Sequence, residues 1–389
     1  MTRVGFVLAG RTVGWMASWT YYRTLLRAIL ADPESGIEPV VFLAAGDEHP
    51  LIAELPEVER HRVAMLDPRS PGGVARAVWR NGLVCDRPLG HLLERHDIAV
   101  LSHSGHLGRY DATPALGWVP DLQHRHLPEL FDRRTLVFRE ARYRLLARFA
   151  THLVVSSQAG ERDLIDLSSR AAGKTTVLRF VVDPVPRERQ PDREELRARY
   201  GVDGPYLYLP NQFWVHKNHR LVVDALRILR AGGRRVRVLA TGAPVDRRRP
   251  DHYRELVAHI ASCGVGEDLR LLGVVPYPHV AALLRESVAL INPSRFEGWS
   301  TTVEEARSAG KRVLLSSIPV HREQDPPGGE LFDPDDAEGL AELIWTAWTR
   351  RDPHADARLA EQAAAALPER RRDFARTYAG AVRATIGSA

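Results

Sequence analysis

The chain has 389 residues, 44% hydrophobic and 26% charged, which exceeds what one hydrophobic core usually supports and points to two domains of an ordinary globular protein. Its two cysteines, Cys85 and Cys263, stand too far apart for a disulfide framework or a metal-binding spacing and suit a reducing, cytoplasmic setting. The formal charge of +5 is carried almost wholly by scattered arginine, with Lys174, Lys217 and Lys311 the lysines, so no nucleic-acid surface is expected. Short runs such as Arg234-Arg235 and Arg247-Arg248-Arg249 read as solvated faces, and peripheral membrane contact through anionic lipid stays open without being indicated. The opening run MTRVGFVLAG is one strand long, too abrupt for a signal peptide, and no segment approaches the ~20 apolar residues that span a bilayer. A soluble cytoplasmic protein is expected.

In chain order, residues 3–9 read as a buried strand that turns at Gly10, followed by a helix over 19–30. The intervening loop, 10–14, is glycine-bounded and lets backbone approach a ligand closely. Trp15, Trp19, Tyr21 and Tyr22 suit either a stacking wall for a ligand or the core side of that helix. Strands over 38–44, 62–65 and 98–102, with helices between, imply a parallel sheet covered on both faces. The stretch 117–131, GWVPDLQHRHLPELF, follows a strand, where open parallel sheets place their ligands. Its His124 and His126 point apart if helical, and no third ligand completes a set, so no metal is expected there. A helix over 139–150 leads to a strand at 151–157. AGKTT at 172–176 imitates the end of a phosphate-binding loop, but Ser168 stands where the upstream glycine belongs and a strand follows, so it is a turn. The proline- and charge-rich stretch 184–203 reads as a hinge.

The second half opens with a strand at 206–209 and PNQFWVHKNHRLVVDALRIL, which places Lys217-Asn218 in a short loop before a helix starting near His219. A lysine there can meet an anion at a helix N-terminus. Strands follow at 236–240, ending in Thr241-Gly242, at 269–272, ending in Gly273-Val274-Val275, then at 288–291 and 313–316. The most specific stretch is 292–310, NPSRFEGWSTTVEEARSAG. Pro-Ser closes an apolar run, Glu297-Gly298 turns the chain, and Ser300-Thr301-Thr302 bring hydroxyls and a cap to the start of a helix. Its free N–H groups and positive dipole end favour a phosphate in the turn. Glu297 then lies at the helix mouth and Glu305 one turn inside, within reach of hydroxyls on the same ligand. Helices over 354–367 and 370–386 close the chain.

The pattern E-G-x6-E-A-x3-G, preceded by Pro-Ser and followed by Arg312-Val313-Leu314-Leu315-Ser316, resembles the paired-glutamate signature of glycosyltransferase family four. That is a group of retaining, nucleotide-sugar-dependent enzymes of the GT-B fold. The resemblance implies an α/β protein of two Rossmann-like, doubly wound parallel-sheet domains facing a cleft. Residues 1–183 would form the acceptor side, 204–369 the nucleotide-sugar side, and a last helix over 370–389 would cross back.

It also implies roles. Glu297, Asp121 and Lys217 form the catalytic set. Gly14, Lys217, Asn218, Gly242, Val275, Arg295, Glu297, Gly298, Trp299, Ser300, Thr301 and Glu305 surround the donor, with Glu305 on the ribose hydroxyls. Trp15, His124 and His126 face the acceptor. Pro120 stands where the family carries a histidine before Asp121, with His124 or His126 as substitutes. Asn211-Gln212 occupy the place of an arginine upstream of Lys217, which leaves Arg295 or His216 as the second positive contact. The nucleotide-diphosphate sugar is co-substrate, no metal or other cofactor is required, and retention follows front-face attack with the leaving phosphate taking the acceptor's proton. Asp333-Pro334-Asp335 resembles the metal motif of the other large glycosyltransferase fold but reads better as a helix cap at Asp335. The rival readings are a nucleotide-sugar epimerase of the same fold and a non-catalytic partner subunit.

Overall fold

The computed structural model describes residues 1–8, 16–47, 50–83, 85–104 and 112–388. The chain divides into two compact units, Met1–Arg125 with Asp132–Val181 and Glu369–Ala389, and His126–Phe131 with Val182–Pro368. The first holds a seven-stranded sheet, and its strands are β1 (Thr2–Val7), β2 (Ile37–Ala44), β3 (Glu59–Val63), β4 (Val100–Ser104), β5 (Ala115–Val119), β6 (His152–Val155) and β7 (Thr175–Val177). The order is β3-β2-β1-β4-β5-β6-β7, parallel throughout. Continuous apolar runs explain this: Val40, Val41 and Phe42 are each fully buried, as strands covered on both faces must be.

The second unit holds β8 (Leu207–Leu209), β9 (Val238–Thr241), β10 (Leu269–Gly273), β11 (Leu290–Asn292), β12 (Val313–Ser316) and β13 (Gly329–Phe332), also parallel, in the order β10-β9-β8-β11-β12-β13. Tyr206, Tyr208, Leu290, Val313 and Leu315 pack one side of this sheet against Val303 and Ala306 of the helix Thr301–Ser308.

Several sequence expectations are corrected. β5 takes in the first three residues of the stretch singled out for its histidines, and β13 buries only Phe332, too little apolar patterning to read as a strand. The helix expected over 139–150 runs from Arg133 to Phe149, because Asp132 accepts the Thr135 amide and caps it six residues earlier. The stretch 184–203 is not a bare hinge. It carries the helix Arg193–Tyr200, capped by Asp192 and closed at Gly201, with Leu196 and Tyr200 in the second unit's core. Residues 126–131 group with the second unit, so the boundary expected at 183 is crossed early.

The two closing helices are one, Pro353–Gly387, with Pro368 inside it. Its last turns belong to the first unit, where Tyr378 is fully buried and donates to Ser102 Oγ at 2.7 Å. Asp336, not Asp335, caps the helix Ala337–Thr349 by accepting the Gly339 amide. Trp19, Tyr21 and Tyr22 are buried, and Tyr21 stacks on Trp118 at 4.9 Å between ring centroids, so these aromatics are core rather than a ligand wall.

Gly310 fixes how the helix Thr301–Ser308 returns to β12. Its φ of 63° is a left-handed conformation, and a Cβ there would lie 2.4 Å from both Ala360 Cα and Leu359 O. Gly310→Ala is therefore expected to cost about 2–4 kcal/mol from combined strain and overpacking, read as a lowered urea midpoint with an unchanged slope.

Candidate functional site

From β8 the chain builds β9 and β10 outward on one side, then returns to β11 and builds β12 and β13 on the other. Loops that leave neighbouring strands at such a reversal diverge and open a crevice at the carboxyl end of the sheet, the usual ligand position in this architecture. The loop after β8 carries Lys217 and the loop after β11 carries Glu297. The two meet across the reversal, Lys217 Nζ donating to Glu297 Oε1 at 2.5 Å, with 13% and 9% of the side chains exposed. Burial raises the Glu297 carboxyl, but the Lys217 charge and the hydrogen bond from Lys217 outweigh it and hold the pKa below the usual carboxylate value.

The helix mouth beside Glu297 is shaped by one buried amide. Asn292, at the end of β11, donates to Ser300 Oγ at 2.9 Å and to Thr302 Oγ1 at 3.2 Å, and its Oδ1 accepts from Ser294 Oγ at 2.7 Å and Asn211 Nδ2 at 3.3 Å. The Ser300 hydroxyl is thus drawn away from the helix it was expected to cap, and it makes no cap hydrogen bond. Gln324 holds the Ser300 backbone from the other side, Oε1 accepting its N–H and Nε2 donating to its carbonyl, both at 3.1 Å. The Ser300 side chain does not cap the first turn of Thr301–Ser308, and the turn at Glu297-Gly298 lies at the amide end of that helix, where its dipole is positive. Such a mouth suits an anion. Gly298 and Thr301 are half-buried here, and Trp299 is buried.

Around Lys217 the sequence expectations are partly redistributed. Asn218 adopts a left-handed φ of 55° and spends its side chain on the Pro334 carbonyl at 2.9 Å, so it shapes the loop rather than reaching into the crevice. Arg295 pairs with Asp335 at 2.6 Å on the surface, while its amide donates to the His216 carbonyl at 2.8 Å. His216 is buried, and burial, then the charges of Lys217 and Arg248, push its pKa well down; it is a neutral acceptor for Arg248, at 3.2 Å. Arg248 in turn lies on Asp246, whose other oxygen accepts the Val215 amide at 3.2 Å.

Glu305 sits one turn inside the helix and its Oε1 accepts from the Tyr277 hydroxyl at 2.8 Å. Gly242 lies against the β8 loop, where a Cβ would come 2.4 Å from the Asn211 carbonyl oxygen. Val275 packs at the edge of the helix-side core.

The remaining residues come from the first half of the chain. Asp121 lies in the first unit, accepting from Arg139 at 2.6 Å and from the Gln123 amide at 3.1 Å. His124, expected on the acceptor side, is 2% exposed and packs against the Tyr143 ring. His126 groups with the second unit, its ring 5.2 Å from that of Phe296, the neighbour of Glu297. Gly14 and Trp15 lie outside the described residues.

Sequence reasoning missed Asn292, Gln324, Tyr277 and His321. His321 is fully buried; Ser316 accepts its Nδ1–H through the carbonyl at 2.9 Å, and the Ser316 hydroxyl donates to the Ser294 carbonyl at 2.5 Å. Asn292 had a readable signal, since a polar residue ending a buried strand must find partners; the other three are brought in by distant elements. Likewise Cys263 lies beside His259 and Asp224, a juxtaposition of metal-ligating types away from this crevice that its sequence spacing does not reveal.

The model of the group 1 glycosyl transferases matches residues 192–365, the stretch that holds every residue of the crevice. No curated protein matches the chain in sequence. Among solved structures, a glycosyltransferase from Rickettsia africae is 16% identical, covering 98% of this chain and 96% of its own with a TM-score of 0.66. Anabaena HepE in complex with UDP-glucose is 18% identical, covering 98% of each chain at a TM-score of 0.68. Sucrose-phosphate synthase from Thermosynechococcus elongatus is 15% identical, covering 99% of this chain and 95% of its own at 0.62. At these identities the likeness is one of fold, the two-domain GT-B fold of glycosyltransferases.

Two outcomes follow from the charges. Lys217→Met leaves the Glu297 carboxylate buried without its counter-charge and is expected to cost about 3 kcal/mol, most of it regained when Glu297→Gln is added; urea titration of the single and double variants checks this. Unfolded histidine takes up a proton below about pH 6.5, whereas burial holds His219 near a pKa of about 3 and His321 near about 4. Between these values the unfolded chain binds more protons, so stability falls as the pH is lowered from 6.5 toward 4, by about 1.4 kcal/mol per pH unit for each histidine. His321→Gln is expected to remove one histidine's share of that slope, measured by urea midpoints across the range.

Proposed function

We propose, from the premise that residues 192–365 are a group 1 glycosyltransferase domain, that this chain moves a hexosyl group from a nucleotide-diphosphate sugar to a hydroxyl acceptor with retention at the anomeric carbon and without a metal ion. The observation that carries the reading is the uncapped mouth of Thr301–Ser308 with the Lys217–Glu297 pair in front of it and Glu305 one turn behind. A diphosphate seated at the mouth receives the helix amides and shares Lys217 with Glu297. The helix mouth and Lys217 are positive before reaction, so the charge that develops as the sugar–phosphate bond breaks is met by groups already in place. Glu297, held ionised by Lys217, accepts hydroxyls of the donor sugar and faces the cationic ring of an oxocarbenium-like transition state. Glu305, oriented by Tyr277, accepts the ribose hydroxyls.

In the proposed step the acceptor oxygen bonds the anomeric carbon on the face from which the diphosphate leaves. The acceptor's proton passes to a phosphate oxygen of the departing group, so charge and atoms balance without a further co-reactant. Anabaena HepE is described with UDP-glucose, which makes that class of donor the first to test here.

The decisive experiment is a thermal-shift panel of nucleoside diphosphates and nucleotide sugars, since a ligand that binds only the folded chain raises its midpoint; no shift with any member would reject the reading. With a binding donor in hand, Glu305→Ala is expected to weaken its affinity by about 1.5–3 kcal/mol and Tyr277→Phe by about 1 kcal/mol. Unchanged affinity in the Glu305 variant would remove the ribose role.

A further inference from the structure

The helix Arg133–Phe149 seals the first unit with one face and presents a second, unusual face to solvent. Tyr143, Leu146 and Ala147 are buried with Val119, Leu153 and Leu164. On the opposite side Val137 is 63% exposed, Phe138 66% and Leu145 37%. Positions 134, 138, 141, 145 and 148 fall on one line of a helix, so Phe138, the exposed Ala141 and Leu145 form an apolar stripe with Val137 at its side. Exposed arginines 133, 134, 142, 144 and 148 border it.

The charge balance of this face is one-sided. The helix carries six arginines against the single acid Glu140. Arg139 is engaged by Asp121, and Glu140 lies within ion-pair distance of Arg125 and Arg144. Arg133, Arg134, Arg142 and Arg148 meet no carboxylate among the described residues. Apolar side chains standing this far into water inside a belt of uncompensated arginine call for an occupant that is both greasy and anionic. A nucleic acid answers the arginines and leaves Val137 and Phe138 in water. A second copy answers the stripe but sets two arginine belts against each other with Glu140, already engaged by Arg125 and Arg144, as the one acid of the helix to meet them. A bilayer with anionic headgroups answers both, because arginine reaches the headgroups while the shorter apolar side chains enter the acyl boundary.

We propose that the outward face of the helix Arg133–Phe149 docks the first unit on an anionic lipid surface. The test is sedimentation of the full-length protein with vesicles of phosphatidylcholine alone or with about one third phosphatidylglycerol. Binding is expected to the mixed vesicles and not to the neutral ones, and to fall in about 0.5 M salt as the headgroup charge is screened. Val137→Ser with Phe138→Ser and Leu145→Ser, and separately Arg134→Glu with Arg142→Glu and Arg148→Glu, are each expected to lower the partition by about tenfold or more. Both sets are solvent-exposed and are expected to leave the thermal midpoint in place.

A wild-type protein that stays in the supernatant with the mixed vesicles overturns the proposal, as does wild-type binding by the apolar variant, which would mean charge adsorption without docking. Light scattering that finds a wild-type dimer lost in the apolar variant overturns it too, by giving this face to a second copy.

Discussion

The ion pair between Lys217 and Glu297 is the contact on which the crevice depends. Each residue stands on a loop that leaves one of two adjacent strands, β8 and β11, and the strand order guarantees that those loops diverge. A charge pair nearly closed off from water joins them across 80 residues of sequence. Either charge alone in that position would be costly, since burial disfavours an ion that lacks a partner. Together they hold a cation and an anion side by side, an arrangement that can exchange contacts with a charged, hydroxyl-bearing ligand at little structural cost.

The second constraint is a denial. Serine at a helix start normally closes the first turn with its own hydroxyl, and here Asn292 takes that hydroxyl while Gln324 takes the Ser300 amide and carbonyl. The outcome is a rigid Ser300 and an open helix mouth. Rigidity and openness come from the same buried network, whose members are otherwise satisfied. The neutral histidines around it fit this economy: His216 accepts from Arg248 and His321 donates to Ser316, so neither adds a competing positive charge next to Lys217.

Much of this was legible in advance. Parallel α/β layering followed from apolar strand-length runs alternating with amphipathic helices, and the glutamates and lysine of the crevice were marked by their position after such runs. Glu297 and Glu305 were readable because their spacing is local, within one turn and one helix. Asn218 and Arg295 were readable as loop residues but not as to partner: Pro334 and Asp335, which engage them, come from a different loop more than 35 residues on. His124 was legible as a residue that follows a strand, but its burial was not, because the ring it packs against, Tyr143, comes from a helix that begins seven residues after its own short helix ends.

By itself the sequence determined the local chemistry: which strands are buried on both faces, where a helix begins beside a Glu-Gly turn, and that a lysine precedes another helix start. These rest on side-chain period and turn preference, which act over a few residues. Only the tertiary structure decided that Lys217 and Glu297 touch, that Asn292 and Gln324 disarm the serine cap, and that Tyr277 addresses Glu305. Those depend on strand order and on the packing of elements far apart in the chain, which no local pattern encodes.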